Sequence, residues 1–323
     1  MELIKLLTKN KINLFLSFNI LALIVFGILN IISGDNSLLN LFNLRINDYP
    51  ILQLRLSRTM VALFTGGLIS LSGLFLQLIF RNNLVDPGLV GLTSGTSFFK
   101  NLLAIFLPAF LGSKVVYGLV GALILVVILI WLKNKEISPT RFVLFGVCLT
   151  ILFISLNQVL SYFTHVQINL FSGFNLISPS VTYLMIILGV VIVTELILFE
   201  KYIPYYSFND QKIIELGIDV KKTNLSILLI ISLAISAIVG IVGEFFFIGI
   251  VIPNIIKVIN GTNVKHYFID TFMLGANLML ISDFIGRNLF YPVEIPAGLI
   301  CSLICAPVLF YIVLRGSHGS KEY

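Results

Sequence analysis

The stretch RLSRTMVALFTGGLISLSGLFLQLIFRNNLVDPGLVGLTSG, from Arg55 to Gly95, decides the fold. Its residues 59–80 contain no Asp, Glu, Lys or Arg. That run is long enough to cross a hydrocarbon core about 30 Å thick, which takes about 20 helical residues. Inside it, TGGLISLSG at 65–73 sets small side chains at close spacing, which lets helix backbones approach closely in lipid; a pore wall would need small residues as well. The run RNNLVDPGLVGLTSG at 81–95 is polar and Gly-rich. There Pro87-Gly88 favours a turn, and the Ser and Thr that follow suit the start of a helix returning into the bilayer.

The same pattern recurs along the chain. Uncharged windows run at 12–34, 115–132, 142–164, 223–243 and 295–314, and a further span is expected near 181–200, preceded by an outer loop with a short helix around Asn169, Ser172-Gly173, Asn175 and Ser178-Pro179. Weaker windows at 90–108, 247–260 and 268–287 are interrupted by Lys100, by Pro253 and by Asp283 with Arg287, and are expected to be shielded by protein. The total is ten spanning helices. Composition agrees: of 323 residues 58% are hydrophobic and only 11% charged, with mean hydropathy +1.04, against about 25% charged in a soluble domain. A secreted disulfide scaffold, a disordered chain and a nucleic-acid binder are excluded. The first window shows no small-residue cleavage site behind it, so it reads as a helix that stays.

The net charge of +6 is a topology signal first. Placing Lys5, Lys9 and Lys11 in the cytoplasm puts Lys133, Lys135, Arg141, Lys201, Lys212, Lys221, Lys222, Lys257 and Lys265 on the same side, with both termini inside. Arg45, Arg55 and Arg58 then fall outside, against the bias, and an acidic docking partner is one reason for such placement. Asp283 and Arg287, four apart on one helix face, can neutralise each other. Glu195 and Glu244 lie near predicted helix ends, within reach of the interface. The longest polar cytoplasmic stretch is KYIPYYSFNDQKIIELGIDVKKTN, 201–224; Asn209-Asp210 before its apolar run and Gly217 after it predict a short capped helix on the membrane surface, with an ordinary loop as the alternative.

Catalytic and metal chemistry have no footing. There is no G-x-x-x-x-G-K-[ST] and no H-E-x-x-H, and His165, His266 and His318 are scattered, so no catalytic residue, metal site or cofactor is expected. Cys148, Cys301 and Cys305 sit in apolar stretches, where free thiols act as small hydrophobes.

Taken together, the Arg55–Gly95 string resembles the FecCD-type permease subunits of ABC importers, which carry iron-siderophore complexes, haem and cobalamin. A second block agrees: Glu215-Leu216-Gly217, FIGIVIPNIIKVINGTN from Phe247, LISDFIGRNLFYPVEIPAG from Leu280, and Ala306-Pro307. Ser57 and Asn83 stand where the family usually has proline, and Asn254 where a His is common. The IPNI form and the DxxGRxxxxPxEI pattern look closer to the siderophore branch than to the cobalamin branch.

The resemblance implies an all-α polytopic fold in one permease domain, with inverted-repeat halves at about 12–165 and 180–315 and a cytoplasmic coupling segment at about 201–224. It implies a second permease copy or paralogue, separate ATPase subunits contacting Asn209, Asp210, Glu215, Leu216 and Gly217, and an extracytoplasmic binding protein or lipoprotein docking on Arg55, Arg58 and Arg287. Charge reversal at Arg55 and Arg58 together is expected to weaken docking and leave assembly intact. Gln77, Asn157 and Gln158 either line the pathway or hydrogen-bond between helices. The expected function is uptake of a ferric siderophore through a bacterial cell membrane, with haem or cobalamin as alternatives. A secondary transporter driven by an ion gradient is the alternative of another class.

Overall fold

The structure, a computed structural model, describes residues 2–33, 49–107, 114–134, 139–164, 173–174, 177–260, 267–290 and 293–319. Arg45, Lys135, His165, Lys265, His266 and most of the expected outer loop, with Asn169, Ser172 and Asn175, lie outside the described residues.

Among those residues the fold is all helical. Eleven α-helices run in the order α1 (Glu2–Ile32), α2 (Tyr49–Ile79), α3 (Leu92–Phe106), α4 (Lys114–Asn134), α5 (Pro139–Thr164), α6 (Pro179–Glu200), α7 (Asp210–Glu215), α8 (Val220–Ile241), α9 (Ile248–Asn260), α10 (Tyr267–Asn288) and α11 (Ala297–Gly319). Six are long and apolar enough to cross a bilayer, and apart from the six-residue α7 every helix stands where a span is expected. Large apolar side chains such as Leu14, Phe18, Ile187 and Leu303 are exposed along their outer faces, which suits contact with lipid rather than water.

α2 is the axis of the bundle. Its spanning window is 83% buried, against 11% for α1, because α1, α6, α8, α9 and α10 all pack on it. The small residues of TGGLISLSG make this possible. A Cβ on Gly66 would fall 2.2 Å from the Gly275 carbonyl oxygen of α10, and one on Gly73 would fall 2.1 Å from the Gly249 carbonyl oxygen of α9, so α2 crosses both helices backbone against backbone. Dispersion between close backbones replaces the hydrophobic drive that lipid does not supply.

α2 begins ten residues before the uncharged window at 59, so Arg55 and Arg58 are helical rather than part of an outer connection. Pro50 in the first turn, where a missing N–H costs nothing, and the helix formers Leu52, Gln53, Leu54 and Leu56 account for the earlier start. The bundle has two charged ends. One, the arginine face, holds the C-terminal ends of α1 and α10 with Arg55, Arg58 and Arg287; the other, the lysine face, holds the C-terminal ends of α2 and α9, α7 and Lys257.

Two irregular segments interrupt the interior. Residues 80–91 precede the short α3, and residues 242–247 precede the short α9. Asp86, buried in the first, accepts N–H bonds from Gly88 (2.7 Å) and Leu89 (3.3 Å). Glu244, in the second, does not reach an interface: it is 3% exposed and lies against Ser97 and Lys100, because the chain turns at Gly243 (φ 116) while still inside the bundle. Lys100 is shielded as expected, its Nζ donating to the Val239 carbonyl at 3.0 Å.

Candidate functional site

On the arginine face two guanidinium groups converge on one carboxylate. Arg58 grips Asp283 with Nε (3.0 Å to each oxygen) and Nη2 (2.8 Å), while its Nη1 donates to Glu294 Oε2 at 2.9 Å. Arg287 approaches the same Asp283 at 3.5 Å and donates through Nη2 to the Asn30 carbonyl at 2.8 Å. Asn30 in turn donates to the Leu280 carbonyl at 2.9 Å, which ties α1 to α10. The i,i+4 pair expected from sequence is therefore present but secondary. Asp283, 1% exposed, takes its closest cation from α2, and two cations around one buried carboxylate satisfy it far better than one. Arg55 stands apart. Its Nη1 donates to the Ile31 and Ile32 carbonyls, both at 3.3 Å, where a cation complements the unpaired carbonyls at the C-terminus of α1. Among the described residues it forms no ion pair with a carboxylate.

On the lysine face the chain leaves α6 through a 3-10 turn at Ile203–Ser207 and enters α7. Asn209 occupies the N-cap position with extended backbone (φ −68, ψ 154), but its side chain makes no capping bond; its carbonyl accepts from Ile213 N at 3.1 Å. Gly217 (φ 83) ends the helix. Its N–H bonds the Ile214 carbonyl at 2.9 Å and the Ile218 N–H reaches back to the Ile213 carbonyl at 3.3 Å, a Schellman closure that favours glycine at the left-handed position. Only Ile213 of α7 is buried, while Glu215, Leu216, Ile214 and the preceding Phe208 are exposed. Beneath this segment Tyr206 donates to Asn224 Oδ1 at 2.6 Å, and burial, reinforced by the Asp210 charge, raises the Tyr206 phenol above its usual range.

Asp210 does not act as a cap; it pairs with Arg81, two residues beyond the end of α2. The same guanidinium donates to the Phe208 carbonyl at 2.7 Å. Nothing in the local sequence announces this contact, which joins residues 129 positions apart.

The expected pathway residues divide. Gln77 is 2% exposed and donates to the Gly249 carbonyl at 2.9 Å while accepting from Lys257 Nζ at 2.7 Å. Asn157 accepts from Asn101 at 3.1 Å and lies against the Ser94 carbonyl. Both form interhelical hydrogen bonds. Gln158 is exposed on α5, beside a shallow apolar groove lined by Cys148, Ile151, Leu152, Ser155, Leu156 and Val159. Cys301 and Cys305 face each other on α11 with sulfurs 4.0 Å apart.

Residues 15–315 match the FecCD transport family. A Staphylococcus aureus (strain MSSA476) protein described as a heme-iron transport system permease, IsdF, is 27% identical over 324 residues, covering 97% of this chain and 99% of its own length. Among solved structures, an inward-facing metal-chelate type ABC transporter superposes with a TM-score of 0.78 at 24% identity, over 93% of this chain and 98% of that one. The PsaBC complex of Streptococcus pneumoniae superposes at 0.56 and 16% identity, over 83% and 93%. At these identities the structural likeness speaks for the fold alone.

Proposed function

The chain belongs to the FecCD transport family and is a multi-pass, non-catalytic permease subunit of an ABC importer; from that premise we propose that it imports a ferric siderophore, handed over by an extracytoplasmic binding protein, across a bacterial cell membrane. ATP is hydrolysed on separate subunits. The lysine face is cytoplasmic and the arginine face external, as the bias of lysines requires, and a second permease copy or paralogue completes the pathway.

The observation that carries this reading is the α7 segment. A six-residue helix that buries one side chain and exposes Ile214, Leu216 and Phe208 beside Lys212 and Glu215 has the mixed apolar and charged surface of a protein contact. ATPase subunits are the partners that an importer presents to that face. On the opposite face, Arg55, Arg58 and Arg287 supply the positive field that steers an acidic binding protein, with Arg55 contributing charge that no ion-paired carboxylate cancels among the described residues.

Haem is a second reading, favoured by one observation: the relative described as a heme-iron permease aligns over nearly the full length. Uptake of labelled iron in a deletion strain, supplied as catecholate, hydroxamate or carboxylate siderophore or as haem, with labelled cobalamin as control, separates them. Loss confined to a siderophore class supports the first reading and loss confined to haem the second. Uptake that persists when the partner ATPase is inactivated rejects both in favour of an ion-gradient transporter.

A further inference from the structure

The Schellman closure seen at Gly217 occurs a second time on the lysine face, with a different residue at its strained position. At the end of α2 the Arg81 N–H bonds the Leu78 carbonyl (3.2 Å) and the Asn82 N–H bonds the Gln77 carbonyl (3.1 Å), which places Arg81 at the left-handed site with φ 48. Glycine occupies that site without strain and arginine does not, so local geometry gives no reason for the side chain. Its contacts do. The guanidinium holds both the Phe208 carbonyl and Asp210, at the entrance of α7. Two residues further on, Asn83 is fastened to α9: its carbonyl accepts from Asn254 (2.8 Å) and its Oδ1 from Lys257 (2.6 Å), whose Nζ also bonds Gln77 inside the last turn of α2.

We infer that Arg81 is a positioning residue that links the α7 segment to α9, so that displacement of α7 is carried across the bundle through Arg81, the turn at 81–83 and Lys257 as well as along the chain into α8. The inference rests on the proposed ATPase contact at α7. Chain continuity, the packing of Ile213 and the Tyr206–Asn224 bond couple the α7 segment to α8; α9 is reached through this polar bridge, whose members sit at the C-terminal ends of two helices pressed together at Gly73 and Gly249.

The test uses the complex purified from its own host through a tag on this chain, reconstituted in nanodiscs, with Cys148→Ser and a fluorophore on Val258→Cys, an exposed position in the last turn of α9. The ATP-dependent change in fluorescence is expected to fall by about tenfold in Arg81→Gly, within the range that coupling energies span, while the melting temperature stays equal or rises because the backbone strain is relieved. Asp210→Ala should act alike, and the double variant should be no worse than either single one, the signature of a shared interaction. A reporter response unchanged in Arg81→Gly overturns the link while the importer reading stands. So does a parent complex that contains its ATPase and shows no ATP-dependent response at α9. A tagged chain that captures no ATPase rejects the importer reading, and the link with it.

Discussion

Arg58 of α2 and Asp283 of α10 are joined by a two-pronged ion pair with contacts of 2.8 to 3.0 Å, across 225 residues of sequence. The carboxylate is buried and the guanidinium nearly so. Removing one partner leaves the other with a single, poorer balance of charge: Arg58→Glu sets two carboxylates face to face with only Arg287 beside Asp283, and Asp283→Asn leaves Arg58 and Arg287 side by side with only Glu294 against Arg58. Breaking a buried pair costs about 3–5 kcal/mol. Both variants are therefore expected to lower the folded, membrane-inserted yield, read by fluorescence-detected size exclusion. This changes the expectation that reversing Arg55 and Arg58 together spares assembly, because Arg58 is part of the α2–α10 latch.

Docking is better tested at Arg55. Its partners are the Ile31 and Ile32 carbonyls, and their loss leaves no buried charge. Arg55→Gln should assemble normally and slow association of the cognate binding protein by about tenfold at low salt, with the difference shrinking as salt rises. Surface plasmon resonance on nanodiscs reads this, and an association rate independent of Arg55 at every salt concentration would count against the docking assignment.

The α7 contact is tested at Gly217 and Leu216. Nothing lies within 4 Å of a Cβ built on Gly217, so the obstacle to a side chain there is the left-handed backbone, which costs a β-branched residue about 1–2 kcal/mol. Gly217→Val should distort the segment and abolish ATPase co-purification, Gly217→Asn should be tolerated, and Leu216→Asp should lose the ATPase with the segment's fold intact. Normal co-purification with Leu216→Asp would be incompatible with the proposed contact.

Backbone-to-backbone packing has its own control. Gly73→Ala places a methyl group against the Gly249 carbonyl and forces α2 and α9 apart, at a cost at the top of or above the usual range of about 1–3 kcal/mol for overpacking. Gly27→Ala on α1, with nothing within 4 Å, should leave thermal stability unchanged or slightly raised. Equal melting temperatures for the two variants would refute the packing assignment.

Asp219 caps α8 by accepting from the Lys222 N–H at 3.1 Å, and that bond, followed by the Lys222 side chain, lowers its pKa. A depressed folded-state pKa contributes stability that is full above the unfolded value of about 3.9 and is lost as pH falls through the folded value. Asp219→Asn should keep the cap and flatten the acid side of the stability profile, whereas Asp219→Ala should lower the melting temperature at neutral pH as well. A parent profile with no slope below about pH 4 would contradict the assignment.

Much of the architecture was legible because its cause is local. Whether about 20 residues favour lipid depends on those residues alone, so the spans at 59–80, 142–164 and 223–243 coincide with helices of the structure. The short helix α7 was legible for a similar reason, since Gly217 marks its end through its own backbone freedom. Partnership was not. Sequence spacing paired Asp283 with Arg287, but the folded chain brings Arg58 closer; it placed Glu244 near an interface, but the turn at Gly243 folds it inside. Arg81 carried no signal, because its strain and its contact with Asp210 exist only once α2 has ended beside α7.

Sequence by itself determined an all-helical membrane fold, the family resemblance and the places where helices stop, since hydropathy and turn chemistry are properties of neighbouring residues. Only the tertiary structure decided which charge meets which, because the energy of a buried ion pair depends on separations of a few ångströms between helices whose crossing is set by Gly66 against Gly275 and Gly73 against Gly249.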